Sequence, residues 1–475
     1  MMEKVDIIIK TKHMYTLEGE GVGYLSDYGV AIDRGKIKAV LPVSELKKNY
    51  EAEKFIDASD KVLLPGLIDG HMHTGHGVLR GVAQDISNWM MEGMAPFEAQ
   101  RSIEAKDSGS RLAIAEAVLN GTTTIGDDGS DIAGSCDFIQ KIGVRGNVSV
   151  RIRDALMKTY KAGELYIFDD NYGEKTLNEC LDIFSKYHDI DSGRIKIRFG
   201  PQGPDFVSLK MLKKVKNLSK ERNTKIHMHL QQGSRETKQM TGRDGVRSIP
   251  WLDEIGYFDE DFIGIHLTDA LEEEVKIVAG RKASMILCSS SIGIIDGIVP
   301  PAKIFQDAGG IVGLGSDQAP GNNCHNIINE MKLTAILNKV KYEDPEVMPA
   351  WKVLRMATIE NAKALGIDKI TGSIKEGKYA DLILVDLNQA SLAPLYTKPM
   401  RNFIPNLVYS ARGNEVDTVI VAGKIIVENK APKTFYMNEI LQEVQGHADV
   451  IGERATAQFN EINGKNAVYM RENKL

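Results

Sequence analysis

Long apolar runs are missing from this 475-residue chain. The N-terminal stretch MMEKVDIIIKTKHMYTL is too short of continuous apolar residues for a secretory leader, and no later segment approaches a membrane span. Cysteine is sparse: Cys136, Cys180, Cys288 and Cys324 stand singly, with no CxxC pair. That argues against a disulfide framework and suits a reducing compartment, so a cytoplasmic location is expected. Excess positive charge is also missing. A formal net charge of -6 gives no basis for binding nucleic acid or an anionic membrane. The basic stretch Lys210–Lys220 alternates with apolar residues at helical spacing and reads as the solvated face of a helix. No GxGxxG turn follows the first strand of the central region, which counts against an open doubly wound sheet.

The balance that remains is that of an ordinary globular protein, 43% hydrophobic and 26% charged, and long enough for one large barrel with an accessory domain. Short strands open the chain at Val5–Ile9, Gly29–Asp33 and Lys36–Val40, with Asp33-Arg34-Gly35-Lys36 as a hairpin turn. The pattern returns at Ala380–Asp386, Val416–Ala422 and Ile425–Glu428, so the two ends are expected to pair into one small β-sandwich. Between them, strands at Leu64–Gly70, Thr122–Asp127, Val144–Arg151, Arg194–Phe199, Thr224–His229, Phe262–His266, Ala283–Leu287 and Ile311–Gly315 alternate with helices. Eight strands alternating with helices fit a (β/α)₈ barrel of the α/β class. The expected division is 1–64 and 371–432 for the sandwich, 65–370 for the barrel and 433–475 for a charged helical tail.

The chemistry concentrates on strand ends. In Pro65-Gly66-Leu67-Ile68-Asp69-Gly70-His71-Met72-His73, period-two spacing puts His71 and His73 on one side, where both imidazoles can reach one cation. A lone histidine is usually structural. Here, however, His229 ends the fifth strand, His266 the sixth and Asp317 the eighth, and the chain has only 10 histidines to spend. These ends form the catalytic face of such a barrel. Imidazoles plus one carboxylate suit Zn²⁺ or Fe²⁺, with a position left open for water.

In this order and strand placement, His71, His73, His229, His266 and Asp317 resemble the amidohydrolase superfamily. The resemblance is strongest to the cytosine deaminase-like branch, which includes atrazine chlorohydrolase, triazine deaminases and S-adenosylhomocysteine deaminases. It covers nearly the whole chain. It extends to Leu79-Arg80-Gly81 with Trp89, to Ala357-Thr358-Ile359-Glu360-Asn361-Ala362, to the run from Gly372 to Ile383 and to the run from Gly413 to Val419. The resemblance implies that His71, His73, His229 and Asp317 hold a divalent metal, with His266 beside the water it activates. Two-metal members use a carboxylated lysine at the end of strand four. This strand ends Phe199-Gly200-Pro201-Gln202, so one metal is expected.

The implied activity is hydrolytic deamination of a small nitrogen heterocycle, such as a triazine, pyrimidine, pterin or purine. One position departs from the pattern. Deaminases of the branch carry a glutamate three residues after the strand-five histidine, and here that position is Gln232. An amide forms hydrogen bonds but cannot carry a proton. Asp317 with His266 is then expected to move protons, and Gln232 to touch substrate; Glu236 reads as a solvent-facing loop residue. Loss of chloride or an amine, opening of a cyclic amide, and a non-catalytic metal-binding relative are the alternatives. Trp89, Met90, Met91 and Met94 are expected to form an apolar lid, and Asp128, Gln202, Gln318 and Asn322 to offer polar contacts. Arg151 and Arg153 read as ordinary ion-pair residues, so a neutral ligand is expected rather than a nucleotide phosphate. A homo-oligomer, dimer or larger, is expected.

Overall fold

The computed structural model describes residues 2–86, 88–158, 160 and 163–475. Strands β1 (Glu3–Tyr15), β2 (Tyr24–Asp33), β3 (Lys36–Pro42) and β4 (Tyr50–Pro65) open the chain. Eight barrel strands follow: β5 (Leu67–Met72), β6 (Thr122–Gly129), β7 (Arg145–Ile152), β8 (Ile195–Pro201), β9 (Ile226–Leu230), β10 (Phe262–His266), β11 (Ser284–Leu287) and β12 (Ile311–Leu314). The chain then returns through β13 (Leu382–Asp386), β14 (Val416–Val421), β15 (Lys424–Glu428) and β16 (Ala431–Pro432).

β5 to β12 lie side by side in sequence order, all parallel, with helices in the connections. The seam closes through backbone bonds at the strand ends: Asp317 N–H donates to His71 O at 2.9 Å, and His73 N–H donates to Asp317 O at 3.1 Å. At Ala357–Ala362, Asn361 Nδ2 donates to both Ile68 O and Leu314 O, tying the same two strands together. The amide sits so close to β5 and β12 that a Cβ on Gly70 or Gly313 would come within 2.4 or 2.2 Å of its oxygen. Glycine is required there by contact.

The other strands form one mixed sheet in the order β16-β15-β14-β13-β4-β1-β2-β3. β13 from the C-terminal segment runs antiparallel to β4 from the N-terminal segment, so both ends do build one domain. The sheet folds over a shared apolar filling that includes Ile9, Ile32, Leu63, Leu382 and Ile420. Ala380 N–H reaches Gly35 O, which closes the sandwich from its far edge. The expected strand Leu64–Gly70 divides here. Leu64 and Pro65 belong to β4, and the barrel strand starts at Leu67. Proline brings no N–H to the ladder, and Gly66 abuts Thr123 so tightly that any side chain would collide with it. The sandwich is joined to the barrel by a buried ion pair: Arg145 of β7 contacts Asp381, whose backbone carbonyl accepts from Gly66 N–H.

The tail is helical at Met437–Asn460 and Lys465–Arg471. Among the described residues no helix is long and apolar enough to cross a membrane.

Candidate metal centre and substrate cavity

Barrel strands present alternate side chains inward, so Asp69, His71 and His73 share one face of β5, and His227 and His229 share one face of β9. Several strand ends turn sharply. Gln231, His266, Leu267 and Asp317 adopt φ values of 50°, 69°, 50° and 61°, a left-handed conformation that non-glycine residues seldom take. Each such residue costs of order 1 kcal/mol or more, and their concentration at one rim marks a site held by its surroundings.

The ring nitrogens are sorted by their partners. His71 Nδ1 lies 2.9 Å from His227 Nε2, His73 Nδ1 lies 2.8 Å from the Asp128 carbonyl, and His229 Nδ1 lies 3.1 Å from the Gln202 carbonyl. With Nδ1 engaged in all three, Nε2 points inward. His73 Nε2 lies 3.4 Å from His229 Nε2 and 3.4 Å from Asp317 Oδ1; His71 Nε2 lies 3.6 Å from the same oxygen. His266 stands with His71 and His229, with ligand atoms within 4.8 Å of one another. His71 Nε2, both nitrogens of His266 and Asp317 Oδ1 are buried without a hydrogen-bond partner.

These atoms fit a cation. Ligands of a tetrahedral Zn²⁺ at about 2.0–2.1 Å sit about 3.3 Å apart, close to the separations found here. Without one, several buried polar atoms would face each other unpaired, at a cost of about 1–3 kcal/mol each. The cluster is therefore a metal site, of mixed imidazole and carboxylate donors. Burial drives the ring pKa values down, to about 4 for His73 and about 3 for His266, and well below the ordinary value for His229 and His227. All four are neutral at pH 7 and keep a lone pair for bonding. Burial also works to raise the Asp317 carboxyl, but the His71, His266 and His73 imidazoles outweigh it and keep it well below the usual carboxylate range.

A supporting layer lies behind the ligands. Ser291 Oγ donates to Asp317 Oδ2 at 2.5 Å, which leaves Oδ1 for the centre. Asp69, its carboxyl pushed up to about 7 by burial, accepts from the Ser316 N–H and hydroxyl and from His71 N–H. Arg151 reaches Asp128 Oδ2 at 2.6 Å beside His73 and holds that acid far below its ordinary range.

Above the centre opens a cavity of about 430 Å³. His73 and His229 lie at its floor, and Trp89, Met90, Met91 and Met94 form an apolar wall. Gln202, Gln232, Gln318 and Asp128 also line it, so the structure gathers these expected contacts in one place. Asn322 is held elsewhere: its Nδ2 donates to Ser316 O, and it is absent from the cavity lining. Glu236 is fully buried, not solvent-facing as the sequence suggested. One oxygen accepts from Gln231 N–H and Ser248 Oγ, the other from Gln232 N–H, so it braces the strand-five loop from behind. Arg153 donates to Gln202 Oε1 and Tyr172 Oη, and Arg235 pairs with Asp205.

Further residues escaped the sequence reading. His76, Glu98 and Arg101 also line the cavity, with His76 Nδ1, Glu98 Oε2 and Arg101 Nε buried without a hydrogen bond and His76 Nε2 3.8 Å from Glu98 Oε2. His227 and Asp69 were accessible to a period-two count, each standing two residues before a ligand on the same face. Ser291 carried no such signal.

A family model for the amidohydrolase family matches residues 62–426. The chain is 31% identical to a 5'-deoxyadenosine deaminase of Methanosphaera stadtmanae over 392 residues, 82% of this chain and 87% of that one. It is 33% identical to a 5-methylthioadenosine/S-adenosylhomocysteine deaminase of Thermococcus onnurineus over 422 residues, 88% of this chain and 94% of that one. Among solved structures, an adenosine deaminase from Xanthomonas campestris with bound zinc superposes with a TM-score of 0.86 at 26% identity, covering 95% of this chain and 99% of that one. With its barrel, its strand-end histidines and a matching model over most of its length, the chain belongs to the amidohydrolase family and is a hydrolase of carbon–nitrogen bonds.

Proposed function

We propose that the protein removes the amino group of an adenosine-like nucleoside by hydrolysis, using one Zn²⁺ or Fe²⁺ held by His71, His73, His229 and Asp317. The observation that carries this is the convergence of inward nitrogens and Asp317 Oδ1 on the floor of an apolar-walled cavity. The chain's similarity to nucleoside deaminases of about its own length directs the choice of substrate. A divalent cation there supplies Lewis acidity that brings a water's pKa from about 15.7 toward ~7.

The chain's own groups do the rest. The Asp317 carboxylate takes a proton from the attacking water and returns it to the departing nitrogen, so that C–O forms, C–N breaks and ammonia leaves. His266, neutral and with both nitrogens unpartnered, donates a hydrogen bond to the incoming oxygen. Gln232 offers substrate an amide contact but no proton. Trp89 and the lid methionines cover the flat base. Glu98 Oε2, buried without a hydrogen bond and 3.8 Å from His76 Nε2, suits a sugar hydroxyl. The cavity guanidiniums of Arg101, Arg151, Arg153 and Arg235 each already contact protein acceptors, in keeping with a substrate lacking a phosphate.

The test is ammonia release from adenosine-like nucleosides by metal-loaded protein, with chloride release from halogenated azines measured alongside. Stoichiometric ammonia supports the reading; chloride without ammonia overturns it. Gln232 favours a second reading, a leaving group that needs little protonation. Gln232→Glu separates the two: if it raises ammonia release well above wild type, ordinary deamination is not the native reaction.

A further inference from the structure

The lid and the C-terminal tail share an interface. On Met437–Asn460 the residues Ile440, Val444, Ala448, Ile451, Ala455 and Phe459 recur at intervals of three or four and line one face. Ile451, Val444 and Ala448 pack into a cluster with Val78, Leu79, Ala105, Met94 and Phe97. The Phe97 and Phe459 rings meet edge to face, with centroids 6.0 Å apart. Arg111 pairs with Glu443 across the same contact, and Asn466 Nδ2 reaches Asp85 O at 3.4 Å.

The partners on the barrel side include the lid, whose Met94 and Phe97 join Val78, Leu79 and Ala105 against the tail. Trp89–Met94 is a single π-helical turn that continues into Ala95–Glu98. Trp89, Met90, Met94 and Glu98 line the cavity, while Met94 and Phe97 touch the tail cluster. A wide π turn is poorly stabilised by its own hydrogen bonds, and such turns concentrate at functional sites. The tail thus supplies packing that the lid's local structure does not.

We propose that the C-terminal helix fixes the lid over the substrate, with Ile451 and Phe459 as positioning residues; the kinetic part of this rests on the nucleoside reading above. The ligands on β5, β9 and β12 do not touch the tail cluster, so its effect falls on binding rather than on chemistry. Phe459→Ala should raise the KM for the substrate by about tenfold, with kcat within about twofold and metal content unchanged. Phe459→Leu should restore most of the affinity. In the same variant, hydrogen exchange should quicken at the amides of Trp89–Glu98 and not in the barrel strands. Unchanged KM and lid exchange overturn the proposal, as does a loss of metal with exchange spread through the barrel. If no nucleoside is turned over, the nucleoside reading fails, and exchange alone decides: quickening confined to the lid supports the strap, and its absence overturns it.

Discussion

The floor and the wall of the cavity are built on different terms. The floor consists of strand ends locked by a seam of backbone hydrogen bonds, with the His71, His73 and His229 imidazoles each oriented by a second contact. The wall is a loop with one π turn, held by packing against a helix from the far end of the chain. Reaction chemistry requires fixed geometry, and recognition requires a surface that can differ between substrates. The contrast predicts that changes to the floor abolish turnover, whereas changes to the wall shift affinity.

The largest effect should come from His71→Ala, which removes a proposed metal ligand. Metal content and turnover should fall together, turnover by roughly a hundredfold or more, and elemental analysis beside a rate assay tests it. Next is Ser291→Ala, which removes the hydroxyl that donates to Asp317 Oδ2. Metal affinity should weaken by about 10–100-fold, measured by competition with a chelator. On the wall, Trp89→Ala should raise KM by about tenfold and leave kcat within a few-fold, read from full saturation curves. If instead it lowers kcat with KM unchanged, the lid belongs to the chemistry and the comparison breaks.

The smallest effect concerns stability. Glu330 is fully buried against Ser290, and burial raises its carboxyl from 4.5 to about 8. The folded form therefore holds its proton more tightly than the unfolded chain does. The stability this gives is complete below about pH 4.5 and is lost as pH rises toward about 8. Glu330→Gln stays neutral throughout, so its melting temperature should fall less than that of the wild type between pH 5 and 8. An equal fall in both proteins would show that Glu330 is ionised in the fold.

How much of this was readable in advance follows the same division. His71, His73, His229 and Asp317 were legible because strand periodicity puts them on one rim, and histidine is too scarce to gather there by chance. The barrel and the joined sandwich were legible from strands alternating with helices between two β-rich ends. Glu236 was misread because a loop glutamate looks the same in sequence whether it meets water or a row of N–H groups. Ser291 and Glu98 lie on helices whose approach to the site depends on tertiary packing, and no local period announces it. The tail's apolar stripe was present in the sequence, but its partner was 350 residues or so away, beyond what any short-range pattern reports. Local chemistry is written in local spacing, and long-range contact is not.

The seam between His71 and Asp317 also sets an order of events during synthesis. The first imidazoles emerge with β5 and the carboxylate only with β12, the last of the barrel strands. A nascent chain still waiting for β12 lacks both the closing backbone bonds and the oxygen that completes the donor set. The full donor set proposed for the cation exists only once the ring has shut, so the binding free energy that Asp317 adds goes to the closed state. Chains that lack β12 should therefore hold metal more weakly than the full chain, which chelator competition on a truncated and a full-length protein would measure.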